Sequence, residues 1–293
     1  MSLPLEATGP VLWIGPAASG KTQACIDRVR AQARAAPLTP TWALLPDGHQ
    51  VNAFRRRLLA SGGALGVRVG TFDGLYTELL ALADKPLPIA PEPVLHRLIQ
   101  SVLDRLAEEG ALRHYAPIRR RPGLALALND LFAELKRSRV APDALTGAMA
   151  ESEPRLQELA AAYERYQAAL IHAGWADSEG RGWLAIEALT HDPTLASGWH
   201  VVVDGFDSFT ATQRETLRLL QARTGSLAVT LMGEGDLSRS AYRRFHTTLE
   251  TLRAEGLALT VQSLPGSRVR PVILRGLADA IFDGRRQSRA ARS

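Results

Sequence analysis

Val11-Leu12-Trp13-Ile14-Gly15-Pro16-Ala17-Ala18-Ser19-Gly20-Lys21-Thr22 is an apolar run that passes into a Gly-x-x-x-x-Gly-Lys-Thr loop and then into helical spacing. A strand, a glycine-bracketed loop and a helix in that order make a phosphate-binding P-loop. Gly15 and Gly20 let the backbone turn with positive φ and approach an anion where a Cβ would obstruct it. Successive N–H groups from Ser19 onward then line a concave nest, and the following helix adds its positive N-terminal dipole. Lys21 is placed to reach the β- and γ-phosphates, and the Thr22 hydroxyl to ligate Mg²⁺. The chain has only three lysines, Lys21, Lys85 and Lys136, so a chance match in this setting is remote.

Outward from that loop, the first helix is predicted to run to about Arg34. Thr41–Leu45 is a short apolar strand broken by Pro46-Asp47-Gly48, and residues 51–59 have helical spacing with Arg55, Arg56 and Arg57 together. Val67–Phe72 is a third strand, with Asp73 placed to cap a helix from Gly74 to Leu82. Strands alternating with helices over short connections predict a parallel α/β sheet. From Pro91 to about Leu189 the periodicity is helical throughout, with a polar hinge expected around Ala176–Gly182. The strand grammar then returns in His200–Asp204 and Ser226–Leu231. A helix over Ala211–Arg223, a basic helix over Ser240–Ala254, a strand over Leu257–Val261 and a helix over Val272–Phe282 complete it. The fold expected is α/β: a parallel sheet carrying the P-loop, interrupted by an all-helical insertion. The boundaries are residues 1–88, 89–196 (the insertion) and 197–283, with a disordered basic tail at 284–293.

Composition narrows the classes. The chain has 293 residues, 46% of them hydrophobic, enough to bury a full core, and no apolar run reaches the roughly 18 residues a membrane span requires. No secretory leader is evident in Met1–Pro10, so the cytoplasm, without a membrane partner, is the expected setting. The single cysteine, Cys25, excludes a disulfide framework and any Cys-based metal cluster, and reads as a buried filler. A net charge of +5 permits a polyanionic partner without requiring one.

A P-loop is answered by a carboxylate at the end of a neighbouring strand, which holds Mg²⁺. Asp204, directly after Val201-Val202-Val203, has that form, and a parallel sheet would bring it to the edge that carries Gly15–Thr22. The next residue is Gly205, where hydrolysing helicases usually carry the Glu that orients the attacking water. Asp207 stands three residues on as a possible substitute.

The P-loop, the Thr41–Pro46 strand leading to a basic helix, Thr71-Phe72-Asp73-Gly74-Leu75, the helical insertion and Asp204-Gly205-Phe206-Asp207-Ser208-Phe209-Thr210 occur in this order. Together they resemble the N-terminal half (domains 1A and 1B) of AddB, the B subunit of AddAB-type helicase–nucleases, which are relatives of the UvrD/Rep-like superfamily 1 helicases. The resemblance implies a RecA-like sheet, ATP and Mg²⁺ as ligands, and single- or double-stranded DNA and a helicase–nuclease subunit as partners. It implies that Gly15, Gly20, Lys21 and Thr22 form the ATP phosphate site. Thr71, Phe72 and Asp73 would touch single-stranded DNA, with stacking on Phe72, and Asp204 would be the metal acid. Gln213, in Phe209-Thr210-Ala211-Thr212-Gln213, resembles the glutamine of the family's Phe-Thr-Pro-x-Gln stretch and is expected among the nucleotide-binding residues. Tyr166 and Asp177 resemble residues flanking the last turns of the family's helical subdomain.

The departures shape the expectation. Family members continue into a second motor domain and an iron–sulfur nuclease domain, whereas this sequence stops near where the second motor would begin. Gly233-Glu234-Gly235-Asp236 only faintly echoes the family's next motif. A fragment, a split gene product and a degenerate paralogue all fit. Three functions are therefore carried forward. One is an ATP-binding helicase-type domain in double-strand-break repair; another is a nucleotide-binding scaffold without turnover. The last is a small-molecule P-loop kinase, against which the hundred-residue helical insertion speaks.

Overall fold

The computed structural model describes residues 9–233 and 242–264. Six strands form one sheet: β1 (Val11–Gly15), β2 (Thr41–Leu44), β3 (Val67–Gly70), β4 (His200–Val203), β5 (Ser226–Met232) and β6 (Thr260–Ser263). Their order is β3-β2-β4-β5-β1-β6, and every pairing is parallel. All residues of β1 and β2 are buried, as expected of parallel strands covered on both faces. The α/β expectation from the sequence holds.

Ten α-helices accompany the sheet among the described residues: α1 (Lys21–Ala35), α2 (Gly48–Ala60), α3 (Phe72–Leu82), α4 (Glu92–Glu108), α5 (Pro122–Arg137), α6 (Pro142–Met149), α7 (Pro154–His172), α8 (Ser178–His191), α9 (Ala211–Gln221) and α10 (Arg243–Ala254). The chain gathers into two compact units. One comprises the residues up to Leu75, Ala196–Phe209 and those from Arg214 onward; the other comprises Tyr76–Leu195 and Thr210–Gln213. In the first unit Val11, Trp13, Ile26, Val29 and Phe54 pack against Val202 and Ala228. In the second, α4, α5 and α7 share a separate core around Ile99, Leu103, Phe132, Tyr163 and Tyr166.

Three local expectations are corrected. The helix expected from Gly74 begins at Phe72, so Asp73 lies in the first turn of α3 and not at its cap. The polar hinge expected around Ala176–Gly182 is a helix start. Asp177 caps α8 by accepting from Gly180 N–H at 2.6 Å, and Gly180, Arg181 and Gly182 are buried inside it. These glycines serve packing: a Cβ on Gly182 would stand 2.8 Å from Thr212 Cγ2 and 3.0 Å from Tyr76 Cε2. The last described strand is β6, three residues later than expected at its start, because Leu257 turns inward first. The basic helix expected over Ser240–Ala254 is helical from Arg243 to Ala254, and Ser240 and Ala241 lie outside the described residues. The expected helix over Val272–Phe282, the basic tail and residues 234–236 lie outside the described residues.

Candidate nucleotide-binding edge

β1 delivers the chain at Gly15, and the loop to Gly20 reverses it into α1. Two of its residues take the left-handed conformation, Ala18 (φ 63°) and Gly20 (φ 89°). Gly20 is the N-cap of α1 and provides no side-chain cap, which leaves the first N–H groups of the helix without a capping acceptor. The N–H groups of Gly20, Lys21 and Thr22 have no protein acceptor among the described residues. Unsatisfied donors converging at a helix N-terminus are what an anion would complete. Gly15 is required on steric grounds, since a Cβ there would collide with the Ser19 side chain.

The Lys21 ammonium folds back over this loop and donates to the carbonyls of Gly15 (2.6 Å) and Pro16 (2.8 Å) and to Ser19 Oγ (3.4 Å). Burial pushes its pKa below the ordinary lysine value, and the negative charge of Asp204 pulls it partly back. The sheet itself brings positions 21 and 204 to one edge, since the loop after β1 and Asp204 after β4 both leave the carboxyl ends of parallel strands. Cys25, one turn into α1, is fully buried. Burial above all, and then the Asp204 charge, push its thiol well above the ordinary range, so it is an inert filler as expected.

Asp204 follows β4, and β5 lies between β4 and β1. The registers Val203↔Val229 and Trp13↔Thr230 set Asp204 level with Thr230 and two residues short of the start of the loop. Thr230 Oγ1 donates to Asp204 Oδ1 at 2.6 Å, fixing the carboxylate while leaving its second oxygen for another partner. Thr22 and Asp204 thus supply a hydroxyl and a carboxylate oxygen, the hard donors that suit Mg²⁺. Gly205 has φ 85°, and a Cβ there would fall into Gln50 Oε1, at the start of α2. Asp207, the expected substitute for the missing Glu, turns elsewhere. Its carbonyl accepts from Thr248 Oγ1 at 2.9 Å, and its carboxylate pairs with Arg244 of α10 at 3.4 Å.

The other expected site residues take different roles. Phe72 is 4% exposed and packs edge-on against Phe206 (5.5 Å) and Phe209 (6.4 Å). Its ring is core, which corrects the expectation that a base stacks on it. Thr71 is half-buried and Asp73 exposed, beside that aromatic cluster. Gln213 belongs to the helical unit, where its Oε1 accepts from Thr210 N–H (3.0 Å) while its own N–H reaches Thr210 Oγ1 (3.2 Å). This reciprocal capping box commits the oxygen that the resemblance assigned to nucleotide. Thr-x-x-Gln was legible in the sequence as such a box.

Sequence reasoning also passed over a buried cluster in the helical unit. Lys136 Nζ donates to Asp177 Oδ2 at 2.5 Å, and Tyr166 Oη donates to the same oxygen at 2.8 Å. Desolvation lowers the Lys136 pKa and raises that of Tyr166, while the Asp177 charge and its hydrogen bond pull that of Lys136 back up. Tyr166 and Asp177, noted separately from the resemblance, are therefore partners. Several insertion arginines are neutralised: Arg119 pairs with Asp104 at 3.3 Å, and Arg137 with Glu134 at 2.8 Å and Glu179 at 3.3 Å.

A family profile described as "ADDB, N-terminal" matches residues 12–257. Among curated proteins, the chain is 28% identical over 224 residues to the B component of the ATP-dependent helicase/deoxyribonuclease of Exiguobacterium sibiricum, covering 72% of this chain and 19% of that protein. It is 24% identical over 250 residues to the protein of the same name from Acetivibrio thermocellus (78% and 22% covered). It is 27% identical over 239 residues to that of Desulfitobacterium hafniense (79% and 19% covered). The matched part is thus about a fifth of the length of those relatives.

Proposed function

The chain belongs to the AddB N-terminal family, and from that premise we propose that it is the ATP- and Mg²⁺-binding helicase-type domain of a DNA-processing helicase–nuclease in double-strand-break repair, holding nucleotide with little turnover. The observation that carries this reading is the shared carboxyl edge of one parallel sheet, where the Gly15–Thr22 loop follows β1 and Asp204 follows β4 with only β5 between them. Lys21 exchanges its carbonyl partners for the phosphates, the free N–H groups of the loop complete the anion site, and Thr22 with Asp204 holds the metal. A bound Mg²⁺ would neutralise phosphate charge. Gly205 supports weak turnover, because the place where a water-orienting Glu would stand is taken by Gln50 and the backbone there is left-handed. Asp207 does not replace it, being engaged with α10.

DNA and a second helicase–nuclease subunit are the partners this reading assigns, and the cytoplasm is its setting. No helix among the described residues is long and apolar enough to cross a membrane. Fluorescent ATP analogue binding in the presence of Mg²⁺ tests the reading. Lys21→Ala should weaken it about tenfold or more, the loss of a charged hydrogen-bonding partner, and phosphate release should not rise when DNA is added. Absence of nucleotide binding to the wild-type chain would overturn it.

A further inference from the structure

The positive charge of this chain is concentrated. Between Val11 and Phe72 stand eight cationic side chains and two carboxylates, Asp27 and Asp47, a surplus of six, whereas the whole chain has a surplus of five. Everything outside that stretch is close to neutral. Within it, α2 carries three consecutive arginines and no Asp or Glu, and α1 adds Arg30 and Arg34 against the lone Asp27.

The fold sets these two helices side by side. Arg57 Nη2 donates to Gln23 Oε1 at 3.3 Å, and Arg30 Nη2 lies 3.2 Å from where a Cβ on Gly62 would be. These two contacts, 23 with 57 and 30 with 62, mean that α1 and α2 run in the same direction. Arg57 and Arg30 therefore both reach across the seam, Arg57 beside Gln23 and Arg30 beside Gly62. Arg34, Arg56 and Arg57 are exposed and Arg30 is half-buried. Among the described residues none of these four has a carboxylate within 4.0 Å, in contrast to Arg119, Arg137 and Arg165 of the helical unit. Like charges held together without counter-charges disfavour the folded state, and a polyanion relieves that.

We propose that the paired outer faces of α1 and α2 form a contact surface for the phosphate backbone of DNA, in addition to the Thr71–Asp73 segment; this rests on the DNA-processing reading above. Guanidinium groups bind phosphate through paired N–H donors and need no base. The surface therefore reads charge and not sequence. An acidic protein would share the charge preference, but a protein interface needs a desolvated apolar centre. Here only Leu59 stands exposed on α2.

The test is fluorescence anisotropy of the 293-residue chain with a labelled single-stranded oligonucleotide across a salt series, together with fluorescent ATP analogue binding. Replacing Arg30, Arg56 and Arg57 by Ala should weaken DNA binding at least about tenfold. It should also make the salt slope shallower by about 2, the value for three phosphates on a single strand. The three Lys replacements should retain most of the affinity, since lysine serves a phosphate as a point charge. Nucleotide binding should stay unchanged in all variants, so failure of the nucleotide reading shows in that arm alone. Unaltered DNA affinity and slope in the Ala variant would overturn the surface. So would displacement of DNA by polyglutamate at equal charge, which would assign it to an acidic protein.

Discussion

The carboxamide of Gln50 occupies the space that a β-carbon on Gly205 would need. Gly205 is also left-handed at φ 85°, and this backbone conformation is what holds position 205 to glycine, since the carboxamide at the end of the flexible Gln50 side chain could shift. A non-glycine residue in that conformation costs roughly 1–2 kcal/mol before any collision is counted. Gly205→Glu should therefore lower the urea midpoint by the equivalent of about 1–3 kcal/mol and should not raise ATP turnover. Adding Gln50→Ala should recover the part due to collision and leave the backbone part. ATP turnover restored by Gly205→Glu alone would show that the water-orienting position is open after all.

Glu158, buried in α7, accepts N–H groups from Arg113 and His114 at 2.8 Å each and from Tyr115 at 3.1 Å. Burial raises its pKa, but these three bonds outweigh burial and bring it below the ordinary value. A carboxylate with a lowered folded-state pKa adds stability above its unfolded value and loses it as pH falls through the folded one. Wild type should thus lose stability between neutral and acidic pH partly through this group. Glu158→Gln should be less stable at neutral pH by about 1–3 kcal/mol, with a gap that narrows in acid. Parallel curves from pH-dependent urea unfolding would exclude the role.

Lys136 and Asp177 form a buried pair with Tyr166 on the same carboxylate oxygen. Removing one partner strands the other, at a cost of roughly 3–5 kcal/mol. Lys136→Met and Asp177→Asn should each destabilise strongly, while the double variant should lose much less than the sum of the two. Additive losses in a double-mutant cycle by urea unfolding would show that the pair does not act as a unit.

The sheet was legible because parallel strands buried on both faces are plain apolar runs: Val11–Ile14 and Val201–Val203 need no context to be recognised. The strand, loop and helix from Val11 to Ala35 were legible because a glycine-bracketed turn follows an apolar run and opens into helical spacing. The role of Phe72 was not, because its partners are set by tertiary contacts. Phe206 and Phe209 lie more than 130 residues from Phe72 in the chain and cover it only once β4 is seated. The expected hinge at Ala176–Gly182 misread two glycines as flexible. Their lack of a side chain in fact lets α8 approach Asp177, Tyr76 and Thr212 closely.

Thr230 and Asp204 offer the sharpest check on how Asp204, the proposed metal acid, is positioned. Asp204 is 4% exposed, and Oδ1 takes its hydrogen bond from Thr230 Oγ1 at 2.6 Å. Thr230→Val keeps the shape and removes the donor, leaving a buried carboxylate oxygen unsatisfied at a cost of about 1–3 kcal/mol. Thr230→Ser restores the donor and should restore most of the stability. If the bond also aims the second oxygen at Mg²⁺, Thr230→Val should raise the Mg²⁺ concentration needed for nucleotide binding roughly tenfold, while metal-free nucleotide affinity stays the same. A variant that loses stability without any change in the Mg²⁺ requirement would leave Thr230 a packing residue and remove the support for Asp204 as a metal ligand.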